Sequence, residues 1–166
     1  MTNLSYRRLN PSNAADLSAF LQVFRGTPSY TYATGGRKPT EAEVEKMMNT
    51  APPGHKSDDI FIYAISSDNE LCGCAFVVRG YPKVETAYLV LLMFIERAQG
   101  KSLGPQALRH IESEAASWGC SSLAAVVDST NHRALAFWLR EGFTESSRRA
   151  APGFIGQAIA IEKHGL

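Results

Sequence analysis

Leu17, Phe20, Leu21 and Phe24 recur at the three- and four-residue intervals of one helix face. Leu108, Ile111, Ala115 and Trp118 repeat that spacing later in the chain. Between these stripes the pattern shortens to runs of strand length. Ile60 to Ile65 and Leu71 to Val78 are joined across Ser66-Ser-Asp-Asn-Glu, which predicts an antiparallel hairpin. From Thr86 to Ile95 the chain is almost continuously apolar, so that strand is expected to be buried on both faces near a sheet centre. Boundary residues fix the remaining elements. Leu4 to Leu9 reads as a first strand, and Asn13, three residues before Asp16, caps a helix reaching Phe24. Thr40 with Glu43 forms a capping-box signature for a helix ending near Asn49, before the breaker Ala51-Pro-Pro-Gly. A third helix spans Leu103 to Trp118 with Gly119 as its stop. Leu123 to Val127 is a strand, His132 to Glu141 a helix stopped by Gly142, and Phe143 to about Glu162 two further strands. The order β-α-α-β-β-β-α-β-α-β-β predicts an α/β fold, a mixed sheet with helices on both faces. No repeat or linker divides residues 1–166, so a single domain is expected.

Composition narrows the partners. The 166 residues are 45% apolar and 20% charged, ordinary for a globular chain with a substantial core. Seventeen Lys and Arg against 16 Asp and Glu leave no whole-protein field, so neither nucleic acid nor an anionic membrane is an expected partner. The longest apolar run, Ala87 to Ile95, suits a buried strand and not a membrane span, and Met1-Thr-Asn-Leu-Ser-Tyr-Arg-Arg lacks the apolar stretch of a secretory signal. Cys72 and Cys74 flank Gly73 in a strand and read as small core residues on one face. The histidines at 55, 110, 132 and 164 show no ligand spacing, so no metal is expected. The chain reads as cytoplasmic.

Two stretches carry chemistry. The first runs from the central strand through Glu96-Arg-Ala-Gln99-Gly100-Lys101-Ser102-Leu103-Gly104-Pro105 into a helix. Such a turn exposes several backbone N–H groups beside the positive end of a helix dipole, which suits a phosphate. Taken alone it is equally a tight strand-to-helix connection. Gly100-Lys101-Ser102 is not a nucleotide-binding P-loop, because the position that must be glycine is Ile95. The second stretch is Asn131-His-Arg-Ala134-Leu-Ala-Phe137-Trp138-Leu-Arg-Glu-Gly142-Phe143, an Asn-capped amphipathic helix with a glycine stop.

Together, and in this element order, Gln-Gly-x-Ser-x-Gly and Asn-x-x-Ala-x-x-Phe-Trp-x-x-x-Gly-Phe resemble the GNAT superfamily of acetyltransferases. The resemblance implies a GNAT-like, mostly antiparallel sheet and acetyl-CoA as acyl donor. On that likeness Gln99, Gly100, Lys101, Ser102, Leu103 and Gly104 present backbone amides, and Ser102 its hydroxyl, to the pyrophosphate. Met93 and Phe94 fall where the family's central strand bulges and splays, their backbone pairing with the pantetheine amides. The Phe94 N–H is the implied oxyanion donor. Asn131, Ala134, Phe137 and Trp138 border the pantetheine and thiol.

Two departures from the pattern matter. Ser102 replaces a family glycine, which helical φ/ψ would make sterically acceptable. Trp138 stands where the family has a tyrosine that protonates departing CoA, and an indole is no practical general acid. Releasing a thiolate of pKa about 8.5 near neutrality is uphill by only about 2 kcal/mol, whereas deprotonating a lysine-like amine of pKa about 10.4 costs roughly 4.6 kcal/mol. A base is therefore worth more than an acid. Candidates are Glu85 at the strand entrance and Tyr88 deeper in, the latter as a proton relay or an aid to thiolate departure. A solvated turn residue and plain core packing are their respective alternatives.

The family implication places acceptor recognition between the first two helices, where Tyr30 and Tyr32 stand beside Gly35 and Gly36. The expected activity is acetyl transfer to a primary amine of a small molecule or peptide by direct attack, with a homodimer compatible. A non-catalytic acyl-CoA-binding module is the alternative from another class, and a binder of longer acyl chains a second.

Overall fold

A computed structural model describes residues 3–27 and 40–166. Local signals start the first helices. The Asn13 side chain accepts the Asp16 N–H and opens α1 (Ala14–Arg25). Thr40 and Glu43 accept each other's backbone N–H, both at 3.2 Å, and open α2 (Glu41–Asn49). Each bond satisfies a donor that the helix itself leaves unpaired.

The hairpin is β2 (Ile60–Ser67) and β3 (Glu70–Arg79). Asp68 and Asn69 turn it with φ of 51° and 67°, the left-handed pair that a tight two-residue connection needs. With β1 (Leu4–Arg8), β4 (Thr86–Phe94), β5 (Ser122–Asp128), β6 (Thr144–Arg149) and β7 (Ala158–His164) they form a seven-stranded sheet in the order β1-β2-β3-β4-β5-β7-β6. Only β4 and β5 run parallel.

Helices cover both faces of this sheet. On one, Arg7 of β1 pairs with Asp16 of α1, whose Phe20 and Val23 are fully buried. On the other lie α3 (Leu103–Ser117) and α4 (His132–Arg140). There Tyr6 stacks on His110 of α3, and Phe61 packs against Trp118 just beyond it. The core is therefore two apolar layers with the sheet between them.

β4 departs from its expected burial on both faces. Its register against β3 shifts between Leu89 and Leu91, leaving Val90 as an extra residue, 39% exposed. The bulge thus sits at Val90, not at Met93 and Phe94. A bulge re-aims the strand beyond it. Pairing of β4 with β5 covers Thr86↔Ser122, Ala87↔Leu123 and Tyr88↔Ala124, then stops. Beyond that point β4 stays with β3 as far as Phe94, and β5 with β7 as far as Asp128. The two central strands fork.

Candidate active site

The fork leaves backbone groups without strand partners. Ile95 donates its N–H to the Cys72 carbonyl at 2.9 Å, so by alternation Met93, two residues earlier, spends its backbone bonds on β3. Leu92 and Phe94 then turn theirs toward the gap. This corrects the expectation for Met93: its backbone faces β3, and Leu92 takes the position foreseen for it. Alternation alone could not decide between the two, because the Val90 bulge resets the count.

The Phe94 N–H has no partner among the described residues, so it is free for the oxyanion role. Its carbonyl is engaged. Gln99 Nε2 donates to it at 2.9 Å, while Gln99 Oε1 accepts from Arg133 Nη1 of α4 at 3.1 Å. Those partners fix the amide orientation, since a carbonyl can only accept and a guanidinium can only donate. The Gln99 side chain therefore ties the end of β4 to the start of α4 across the mouth of the fork.

At that mouth the N–H groups of Gly100, Lys101, Ser102, Leu103 and Gly104 have no partner among the described residues. Neither α3 nor α4 has an acidic residue in its first turn. A helix start usually favours one. Here Lys101 and Arg133 stand there instead, cations beside two positive dipole ends, an arrangement that an anion would relieve. Arg133 was missed from sequence, although its place two residues after the cap Asn131 was the available signal.

Ser102 does not have the helical φ/ψ that would excuse it. It sits at φ 60°, ψ 25°, in the left-handed region, and its hydroxyl makes no capping bond. That conformation costs a non-glycine residue about 1–2 kcal/mol, against roughly 0.5–1 kcal/mol of extra chain entropy for glycine. Ser102→Gly is expected to raise Tm by about 1–4 °C, with affinity for a phosphate-bearing ligand such as CoA, if the loop holds one, within about threefold of wild type. A tenfold loss of affinity in calorimetry would show the hydroxyl to be a phosphate ligand.

α4 forms the other wall. Asn131 caps it by accepting the Ala134 N–H at 3.2 Å. Phe137 lies against Gly104, where an added Cβ would come within 3.0 Å of its ring. Trp138 is 8% exposed and packs edge-on between Phe137 and Phe143. Its indole belongs to the wall.

The proposed bases part company. Glu85 is exposed and precedes the paired end of the fork, about 23 Å along the strand from Leu92 at ~3.3 Å per residue. Its carbonyl serves structure, accepting the Ser121 N–H at 2.8 Å. Tyr88 is the last residue of β4 paired with β5, so it stands at the crotch of the fork. Burial, and secondarily the neighbouring Tyr81, push its phenol above the usual range. Tyr88 thus keeps its proton at neutral pH, as a donor or relay and not a base. Tyr30 and Tyr32 lie outside the described residues.

On the face opposite α3 and α4, Tyr88, Val126, Ser147, Arg149 and Phe154 border a cavity of about 240 Å3. The turn carrying Phe154 is held by Asp128, whose carboxylate accepts the N–H groups of Ile155, Gly156 and Thr130 at 2.8–3.1 Å. Burial alone would raise that carboxyl, but these bonds outweigh it and hold it below the usual range. The fork therefore opens at one end on a loop suited to an anion, and a small cavity borders its other end at Tyr88. The cavity was not legible in the sequence, since its walls come from four strands and a loop far apart in the chain.

A family model described as the acetyltransferase (GNAT) family matches residues 23–143. An acetyltransferase from Thermus thermophilus is similar over 98% of this chain and 97% of its own, at 25% identity and TM-score 0.80. The aminoglycoside acetyltransferase AAC(6')-Ib in complex with coenzyme A matches 98% of this chain and 95% of its own, at 17% identity and TM-score 0.73. The ribosomal-protein-S18-alanine N-acetyltransferase from Escherichia coli matches 99% and 94%, at 17% identity and TM-score 0.69. No curated protein matches the chain in sequence.

Proposed function

Since the chain belongs to the GNAT acetyltransferase family, we propose that it transfers the acetyl group of acetyl-CoA to a primary amine by direct attack. The observation that supports this most is the fork itself. Backbone groups of Leu92 and the Phe94 N–H line a gap whose mouth carries five N–H groups without a partner among the described residues, beside two cations. In this reading Gly100 to Gly104 hold the pyrophosphate with Lys101 and Arg133, Leu92 pairs with the pantetheine arm, and the Phe94 N–H is kept for the thioester carbonyl. Ala134, Phe137 and Trp138 wall it in.

The Phe94 N–H then stabilises the oxyanion that forms when the amine nitrogen bonds to the carbonyl carbon. A preorganised donor of this kind needs no side chain. The C–S bond breaks, CoA leaves as thiol or thiolate, and the amine gives up a proton. Tyr88, still protonated, can pass a proton to the sulfur through water and recover by way of solvent the one that the amine gives up. The amine must arrive neutral, and holding it within the fork beside the thioester supplies the proximity term. No metal or covalent enzyme intermediate enters this scheme, and the expected compartment is the cytoplasm.

The test is thiol release from acetyl-CoA against a panel of amines, with the pH–rate profile of a working acceptor. The rate should rise with pH through the amine's ionisation. A raised phenol pKa keeps Tyr88 protonated to higher pH, so no alkaline fall is expected below about pH 10. Tyr88→Phe should lower kcat by up to about 30-fold, the ~1.5 pK units that assisted thiolate release can supply. Trp138→Phe should keep most activity, and a thousandfold loss there would contradict the wall assignment. CoA binding without thiol release for any amine would favour the non-catalytic acyl-CoA-binding module.

A further inference from the structure

Arg149 ends β6 and borders the cavity that meets the fork at Tyr88. Other arginines near the sheet have partners: Arg148, its neighbour, pairs with Glu145 at 2.8 Å, Arg79 with Asp59 at 3.2 Å and Arg97 with Glu70 at 3.4 Å. The Arg149 guanidinium makes no ion pair or hydrogen bond among the described residues, and no carboxylate lines the cavity with it. The alternation along β6 sends Ser147 to the same face, two residues away. Val126, Phe154 and Ala160 complete an otherwise apolar wall. At about 240 Å3 the cavity is smaller than the ~300–1,000 Å3 usual for drug-sized ligands.

A guanidinium with no counter-ion among the described residues, beside a hydroxyl at the border of an apolar cavity, has the chemistry of a carboxylate receptor. The same surroundings repel a polycation, which would meet Arg149 and find no acid. We propose that the acceptor is a small amino acid-like molecule, a primary amine bearing a carboxylate and an apolar side group. Arg149 and Ser147 hold the carboxylate, the apolar wall takes the side group, and the amine points past Tyr88 into the fork. This rests on the acetyltransferase reading and names the acceptor class at its second face.

The experiment compares leucine, methionine and phenylalanine with their amides, their decarboxylated amines and spermidine, using wild type, Arg149→Gln and Arg149→Lys. The free carboxylates should exceed the decarboxylated amines in kcat/KM by roughly 10–100-fold, after correction for the fraction of neutral amine. Arg149→Gln should remove that preference, leaving the KM for acetyl-CoA and the rate with decarboxylated amines within about threefold. Arg149→Lys should restore part of it. Equal or better use of the decarboxylated amines or spermidine, or an equal loss for every acceptor in Arg149→Gln, would overturn the proposal. Equilibrium binding of the N-acetyl amino acids in the presence of CoA supplies a reading that does not need turnover. Carboxylate-dependent binding weakened tenfold or more by Arg149→Gln supports the subsite even if no amine is acetylated, which would then count against the enzyme reading alone. Binding that is absent, or indifferent to Arg149, overturns the subsite.

Discussion

Gly104→Val is expected to lower CoA affinity roughly a hundredfold or more, about 2.7 kcal/mol. The first Cβ placed at Gly104 meets Phe137 Cε1 at 3.0 Å and Cζ at 3.2 Å. Valine adds two methyl groups to that contact, so the α4 wall must move away from the start of α3. The unpaired N–H groups of the loop then lose their common aim, because Gly104 supplies one of them and anchors the rest. Gly104→Ala separates this from unfolding. It adds only the single carbon, asks the ring to give by a few tenths of an ångström, and gains up to ~1 kcal/mol of helix propensity. Calorimetry should show the alanine variant binding between wild type and valine, with melting confirming that both are folded. Undiminished affinity in a folded Gly104→Val protein would contradict the phosphate-loop assignment.

Gly73→Ala should cost about 1–3 kcal/mol or somewhat more from overpacking, which in a chain of this size is roughly 3–12 °C in Tm. Gly73 of β3 lies opposite Phe94, and an added Cβ would sit 2.6 Å from the Met93 carbonyl oxygen and 2.8 Å from the Phe94 ring. The ring could rotate aside, but the carbonyl is backbone and cannot. β4 must shift at the residue whose N–H is assigned to the oxyanion, so kcat should fall along with Tm. Phe94→Ala should not rescue the double variant, because it leaves the collision with Met93 in place. A Gly73→Ala protein melting within about 2 °C of wild type, with unchanged kcat, would show that β4 tolerates displacement there.

Much of the architecture was legible because its signals are local. Asn13, Thr40 with Glu43, and Gly119 mark helix ends through bonds or backbone angles within a few residues. The apolar run from Thr86 identified the central strand for a similar reason. What the sequence concealed depends on distant partners. The Val90 bulge is a property of β4 measured against β3, and it decided that Leu92, not Met93, faces the gap. The left-handed Ser102 could not be foreseen from a residue type that tolerates many backbone angles. Gln99 lies within the expected loop, yet its side chain bonds Phe94 and Arg133. The proposed acceptor face was the least legible part. Tyr30 and Tyr32 were the residues expected there, while Arg149 and Phe154 carry no motif and meet Tyr88 only through the sheet order.

In the proposed mechanism CoA enters the β4–β5 fork with its pyrophosphate on the loop before α3. Backbone amide spectra of the 15N-labelled protein, titrated with CoA, test it residue by residue. The amides of Gly100, Lys101, Ser102, Leu103 and Gly104 should shift most, followed by Leu92 and Phe94. Met93, bonded to β3, and Glu85, at the closed end of the fork, should move little. Saturable binding that shifts amides elsewhere and leaves the loop and both gap-facing residues unmoved would contradict the account.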